Sequence, residues 1–262
     1  MKTLKKYFKV WWLMSKNSFM SVIYLGMGGI FFILGKVLRF LFFIFFLVFL
    51  LKGTKNLAGY DLNQTLFFFL TFNLVDVTSQ FFFREVYRFR SRVVNGDFDL
   101  VLAKPINALF RSLLGGADLL DLVTLPPLII AVVWFGKVLN PNTWQVISYL
   151  FLIINGLIVA ASFHIAVLAL GIITLEIDNT IMIFRDVSSL GRFPVDIYKE
   201  PLRGTLTYLI PVGIMVTFPA KALMGLLSPW GIFSSFVAGA VFLVLALKFW
   251  NYALTKYSSA SS

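Results

Sequence analysis

The 262-residue chain has no cysteine and a single histidine, His164. Disulfides, thiol catalysis and Cys-ligated metals are therefore excluded, and one imidazole supplies no HExxH zinc helix. Charge is scarce as well. Only 13% of residues are Asp, Glu, Lys or Arg, and the 12 acidic residues face 23 basic ones. With 59% apolar residues and a mean hydropathy of +0.88, a water-soluble domain is ruled out. A phosphate-cradling loop is missing too. The nearest string, Gly29 to Lys36, has one residue too many between its glycines, continues with Val37 and sits in an apolar run. Period-2 alternation is absent from the long apolar runs, which excludes an outer-membrane barrel and leaves helices as the way to satisfy a backbone in lipid.

What is present is aromatic and basic. Thirty Phe residues suit lipid contact, and a net charge of +11 reads as positive-inside loops and attraction to anionic headgroups, with no nucleic-acid partner required. The amino terminus has no small-residue cleavage site and is not read as a removable signal peptide. Over residues 2–16, Lys2, Lys5, Lys6, Lys9 and Lys16 fall on one helix side and Leu4, Phe8, Trp11, Trp12 and Met14 toward the other. That pattern fits a helix lying flat on the membrane, and equally a positive flank ahead of a span. One helix from Phe19 to Leu51 would be about 50 Å long, too much for a core of about 30 Å. An in-plane helix to about Gly29 and a span to Leu51 are expected, with Lys36 and Arg39 snorkelling to cytosolic headgroups.

Further spans are expected over 60–83, 113–135, 144–175 and 229–254, the last followed by a Ser-rich cytosolic tail. Pro126-Pro127 should kink the third. Between 176 and 228 two readings compete. In one, 174–203 is a cytosolic loop and 204–227 the fifth span, which charge counting favours. In the other, 177–191 is a short fifth span and 192–228 forms broken helices in the outer leaflet. Both give an all-α, polytopic membrane protein with six spans and both ends inside.

Chemistry within the spans is sparse. Asp76 lies in the second span, where an uncompensated carboxylate is costly; it either lines a polar path or bonds Asn73, Thr78 or Gln80. A lone intramembrane His164 reads first as a helix–helix hydrogen-bonding residue. Asp118 and Asp121 lack the GxGD spacing of intramembrane aspartyl proteases and should pair with Arg or Lys of the neighbouring basic loop at headgroup level. That loop, Arg84 to Arg111, is the most informative segment. Positive-inside charge explains Arg88, Arg90 and Arg92, but not Phe98, Leu100, Val101 and Leu102 just outside the membrane. Such an element is suited to docking a soluble partner.

The chain resembles the membrane subunits of type-2 ATP-binding-cassette (ABC) exporters, in particular the small permeases encoded apart from their ATPase. The strings that carry the likeness are Ala58-Gly59-Tyr60, Gly96-Asp97-Phe98-Asp99 through Lys104-Pro105, Gly191-Arg192-Phe193-Pro194 through Ile197-Tyr198, and Ile210-Pro211 with Phe218-Pro219-Ala220. The resemblance implies a single transmembrane domain with an interface helix over about 2–27, spans over 30–51 and 177–191, a cytosolic coupling loop over 84–111 and a re-entrant outer region over 192–228. It assigns coupling to the ATPase to Arg88, Arg90, Gly96, Asp97, Phe98, Asp99, Lys104 and Pro105, and the re-entrant region to Gly191, Pro194, Tyr198, Pro211 and Pro219. Asp76 and His164 are the translocation-path candidates. No catalysis and no cofactor are expected on this chain, since ATP and magnesium belong to the partner ABC ATPase. The expected assembly is a homodimer, or a heterodimer with a related permease, in the plasma membrane among its lipids. The alternative is a proton-linked secondary transporter or channel using Asp76 and His164, with no ATPase. Nothing in the chain selects a substrate.

Overall fold

A computed structural model describes residues 2–24, 26–174 and 177–258, without the side chains of residues 2, 3 and 177–179. Leu175 at the end of the fourth apolar run, and the Ser-rich tail past residue 258, lie outside the described residues, as does the side chain of Lys2.

The fold is all-α; among the described residues the only β-type pairing is an isolated bridge, Leu57 to Tyr60. Helix α1 (Lys2–Ile23) ends ahead of Gly26, whose φ of +52° favours glycine, and α2 (Met27–Thr54) begins at once. The break thus falls at 24–26, a few residues before Gly29. Helix α3 (Leu62–Phe83) starts with a capping box: Asp61 accepts from the Gln64 amide at 2.8 Å, and Gln64 Oε1 accepts from the Asp61 amide at 3.0 Å. Its C-terminal end tightens into a 3-10 turn (Arg84–Arg88), followed by three short helices: α4 (Phe89–Val94), α5 (Asp97–Leu102) and α6 (Ala108–Leu113).

Helix α7 (Leu119–Val138) begins six residues after Leu113. Gly116, at φ +158°, lies in the intervening turn, and Asp118 caps the new helix by accepting from Leu120 N and Asp121 N at 2.8 and 3.4 Å. The helix runs through Pro126-Pro127 as one element. Helix α8 (Thr143–Thr174), about 48 Å by its rise, is the spine of the bundle. Asn155 on it donates to the Ser235 carbonyl and hydroxyl of α12 (Pro229–Lys256) at 2.9 and 3.0 Å, and Gly239 faces Asn155 with no room for a Cβ. Small residues here let two helices approach closely without leaving the amide unpaired.

Between these long helices lie α9 (Ile177–Ser189), 3-10 turns at Leu190–Arg192 and Val195–Ile197, and α10 (Leu202–Leu209) and α11 (Gly213–Leu223), bent by 74° to one another around Pro211. Among the described residues, five helices are long and apolar enough to cross a membrane, α2, α3 with its continuation to Val94, α7, α8 and α12, or six if the bent α10/α11 pair forms one crossing. The protein is a multi-pass membrane protein. One aromatic cluster lies at the short helices after α3, where Phe89 and Phe98 pack with Trp250.

Candidate functional site

The 3-10 turn after α3 carries Glu85 inward to 2% exposure. Three guanidiniums close on it: Arg111 at 3.4 Å, Arg88 at 3.9 Å, and Arg92 in direct contact. Gly115 lies against this group so closely that a Cβ would strike both Arg111 and Glu85. Burial, then repulsion from Arg92, pushes the Arg111 guanidinium below its usual range, partly offset by Glu85. Ion pairing therefore locks α4 and α6 to the end of α3. The sequence contains the signal in the Glu85, Arg88, Arg92 spacing, but an acid inside a basic loop reads as a solvated residue.

On this base sits α5. Gly96, at φ +77°, turns the chain, and the helix then splits its side chains. Phe98 is fully buried, edge-on to Phe89 and Tyr257 at 5.1 Å, and Val101 is buried with it. Leu100 is 60% exposed, and Asp97, Leu102, Lys104 and Pro105 are also at the surface. Tyr257 donates its hydroxyl to Asp99 Oδ1 at 2.9 Å. Burial and that carboxylate push the phenol up to about 12. Of the coupling residues expected from the sequence, Arg88, Arg90, Asp97, Lys104 and Pro105 are exposed, whereas Phe98 is turned inward and Asp99 is tied to the end of α12.

Helix α1 is clipped along the same element. Lys6 Nζ donates to the Pro105 carbonyl at 3.0 Å, the Asn107 amide to Tyr7 Oη at 3.2 Å, and the Ala117 amide to Ser15 Oγ at 3.1 Å. Between α1 and α5 lies a groove of about 530 Å³ with Lys6, Arg92, Lys104 and Arg111 along it and Met14 and Leu100 in its wall.

A second polar group lies inside the bundle. Asp76 accepts from Gln80 Nε2 at 2.8 Å, one turn along α3, while Asn73 donates to the Phe69 carbonyl instead. His164 makes no bond to another helix: its Nδ1–H donates to the Ala160 carbonyl of its own helix at 2.8 Å. Asp76 and His164, far apart in sequence, line one cavity of about 30 Å³ together with Arg185 and Ser188. Toward the C-terminal end of α3, Arg84 pairs with Asp118 at 3.1 Å as expected of the basic loop, but the contact of Asp121 is Lys36 of α2, which is not in that loop.

At the opposite end of α3, Tyr60 donates to Asp196 Oδ2 at 2.8 Å, and Asp196 also holds Arg203 at 2.6 Å and Lys221 at 3.1 Å. Burial acts to raise the Asp196 carboxyl, but the Tyr60 hydrogen bond and the two cations outweigh it and hold it below the usual carboxylate range. Gly191, Pro194, Pro211 and Pro219 are buried in this region, and Tyr198 donates to the Leu190 carbonyl at 3.0 Å. A Cβ on Gly191 would come within 2.5 Å of Val212 Cγ1.

Long lipid-compatible helices, with a folded element after α3 and a cavity within the bundle lined by Asp76, His164 and Arg185, make this an integral membrane protein. A family model described as ABC-2 family transporter protein matches residues 37–261, and the chain belongs to that family. It is a permease-type membrane protein of ABC transporters. No curated protein and no solved structure matched the chain.

Proposed function

We propose that the chain is the transmembrane subunit of an ATP-driven exporter, working as a homodimer or heterodimer in the plasma membrane with a separate ABC ATPase. Nucleotide binding and hydrolysis on that partner switch the permease between inward-open and outward-open states, a rigid-body change biased by nucleotide. The observation that carries this reading is the construction of α5. Its inner face, Phe98 and Val101, is buried against the bundle, and its outer face leaves Leu100 and Leu102 exposed beside Asp97 and Lys104. A short helix fixed by a buried aromatic on one side and bare on the other transmits force from a docked subunit. The ion-paired Glu85 then passes it to α3.

In this reading α1 is the interface helix, both termini are cytosolic, and the crossings are α2, α3, α7, α8, α9 with its following turn, and α12. The fifth assignment draws support from Tyr60, which meets Asp196 at the outer end of α3, while α8 reaches the cytosolic core through Leu168 and Ile172. The chain between those points then changes sides, and 192–228 forms the re-entrant outer region around Pro194, Pro211 and Pro219.

A mild-detergent pull-down of the tagged chain from its native host tests the proposal. A stoichiometric ABC ATPase is expected. Its absence under conditions that preserve other membrane complexes overturns the exporter reading.

A further inference from the structure

The charges around the cavity between α3, α8 and α9 do not balance. Asp76 is the one carboxylate. Arg185 lines the same cavity, and Arg39 of α2 and Arg192 after α9 are close enough to act on Asp76 electrostatically. Among the described residues, no carboxylate lies within the 4.0 Å of an ion pair from any of these three arginines. Register fixes the level. Arg84 pairs with Asp118 at the cytosolic end of α3, and Asp76 lies two turns, about 12 Å, further along the helix. Arginines at that depth are costly unless compensated, and a single aspartate compensates one.

The donors of these arginines point to the compensating group. The Arg192 guanidinium lies over the rings of Phe43 and Phe72 at 5.8 and 5.9 Å, and that of Arg185 over Tyr87 at 5.9 Å. A ring engages the flat face of a guanidinium and leaves its in-plane N–H groups for an oxyanion. Two further groups in the cavity wall are unpartnered. His164, 3% exposed, keeps Nε2 as a free acceptor because Nδ1 carries the proton, and Ser188 Oγ is buried without a bond. The site thus offers positive charge, a hydroxyl donor and one acceptor, which matches an acid phosphate ester with both P–O⁻ and P–OH. At about 30 Å³ the cavity admits roughly two oxygen-sized atoms, so only the outer oxygens of a headgroup enter and the rest of the molecule stays outside. On α9, whose Phe184, Arg185 and Ser188 line the cavity, the apolar side chains of Met182 and Ile183 are exposed.

We propose that this cavity receives the P–O⁻ and P–OH oxygens of the phosphate head of an anionic amphiphile taken from the cytosolic half of the membrane, its apolar body lying along the exposed apolar residues of α9. The inference rests on the export reading only in taking that amphiphile as cargo. Its test needs no ATPase, so the two fail separately.

The full-length chain in neutral detergent is titrated with dodecyl phosphate, with dodecyltrimethylammonium as the cationic control. Saturable binding of the phosphate alone is expected, weakened about tenfold by Arg185→Gln and by Arg192→Gln, and weakened less by Arg185→Lys, which keeps the charge but not the planar fork. Asp76→Asn removes the competing carboxylate and is expected to tighten binding several-fold, a gain that misfolding does not produce. Competition by phosphatidic acid, a phosphomonoester like the probe, supports the proposal and marks a bilayer lipid as occupant; lack of competition supports it with a different amphiphile. Equal competition by inorganic phosphate overturns the amphiphile assignment. Equal binding of the cationic control, or binding unchanged in the Arg185→Gln/Arg192→Gln double variant, overturns the site.

Discussion

Glu85 is the residue whose replacement most directly tests how the short helices α4 to α6 are held. Its carboxylate, 2% exposed, is shared by Arg88, Arg92 and Arg111, whose side chains are 49%, 25% and 22% exposed. Glu85→Gln keeps the shape but leaves three guanidiniums facing one another around a neutral amide. Removing one partner of a buried ion pair costs about 3–5 kcal/mol, because the remaining charge stays desolvated. Opening of α4 to α6 is then easier by that amount, roughly two to four powers of ten at about 1.4 kcal/mol per decade. The absence of native cysteine makes the assay clean. Val101→Cys places one thiol at a position 6% exposed, and its labelling by a small maleimide reports the open population. Labelling of Val101→Cys should accelerate by at least a hundredfold when Glu85→Gln is added. Adding Arg92→Met, which removes a charge while keeping bulk, should return most of the protection. A Glu85→Gln rate within threefold of the parent would show that the cluster contributes nothing and refute the argument.

Three further outcomes are expected. Phe98→Ala empties a fully buried site and should cost about 3–5 kcal/mol of thermal stability, while Leu100→Glu, on the exposed face of the same helix, should leave melting within about 0.5 kcal/mol yet abolish copurification of the ATPase; equal effects on both readouts would contradict the split-face reading. The Asp196 carboxyl is depressed in the folded protein, so its tether to Tyr60, Arg203 and Lys221 is fully present above the ordinary carboxylate range near pH 4 and is lost as pH falls through the folded value. Melting in detergent should thus be flat from pH 7 to about 4 with respect to this group and fall below it, a fall that is smaller in Asp196→Asn; identical acid profiles would remove the tether from the account. Gly191→Ala brings a methyl within 2.5 Å of Val212 Cγ1 and should destabilise by about 1–3 kcal/mol, with Val212→Ala restoring much of the loss; a silent Gly191→Ala would mean that this contact is not tight.

The class of fold was legible because lipid imposes one solution on long apolar runs, and the ends of α3, α8 and α12 lie within two residues of where hydropathy puts them. Boundaries set by a local cap were not legible. Helix α7 begins at Leu119 because Asp118 caps it, whereas the apolar run already starts at Leu113. Pairings set by tertiary approach were legible only on one side. Asp118 and Asp121 announce that they need cations, and Arg84 answers from the expected loop, but Lys36 comes from a helix 85 residues away in sequence. The coupling loop was singled out by unexplained apolar residues. What the sequence could not separate is that Phe98 and Val101 are core while Leu100 and Leu102 are surface, since a six-residue helix offers too few turns for a periodic signal.

The polar groups that matter sit on one helix. Tyr60 just before α3 meets Asp196, Asp76 in its second half faces the cavity, and Glu85 just after it gathers the arginines of the cytosolic element. A 22-residue helix is about 33 Å of hydrogen-bonded rod, too stiff to absorb a displacement at one end. On the proposed exporter reading, motion delivered to α5 therefore reaches the Asp76 cavity and the outer Tyr60–Asp196 bond together. The polar sites need no separate relay between them, because α3 itself moves as the shared element. A consequence distinguishes this from independent gates: Tyr60→Phe, more than 30 Å by helix rise from the cytosolic element, should change how strongly substrate stimulates the partner ATPase, even though it touches neither ATP nor α5. If stimulation in Tyr60→Phe equals that of the parent while the variant folds normally, the two ends of α3 are not coupled.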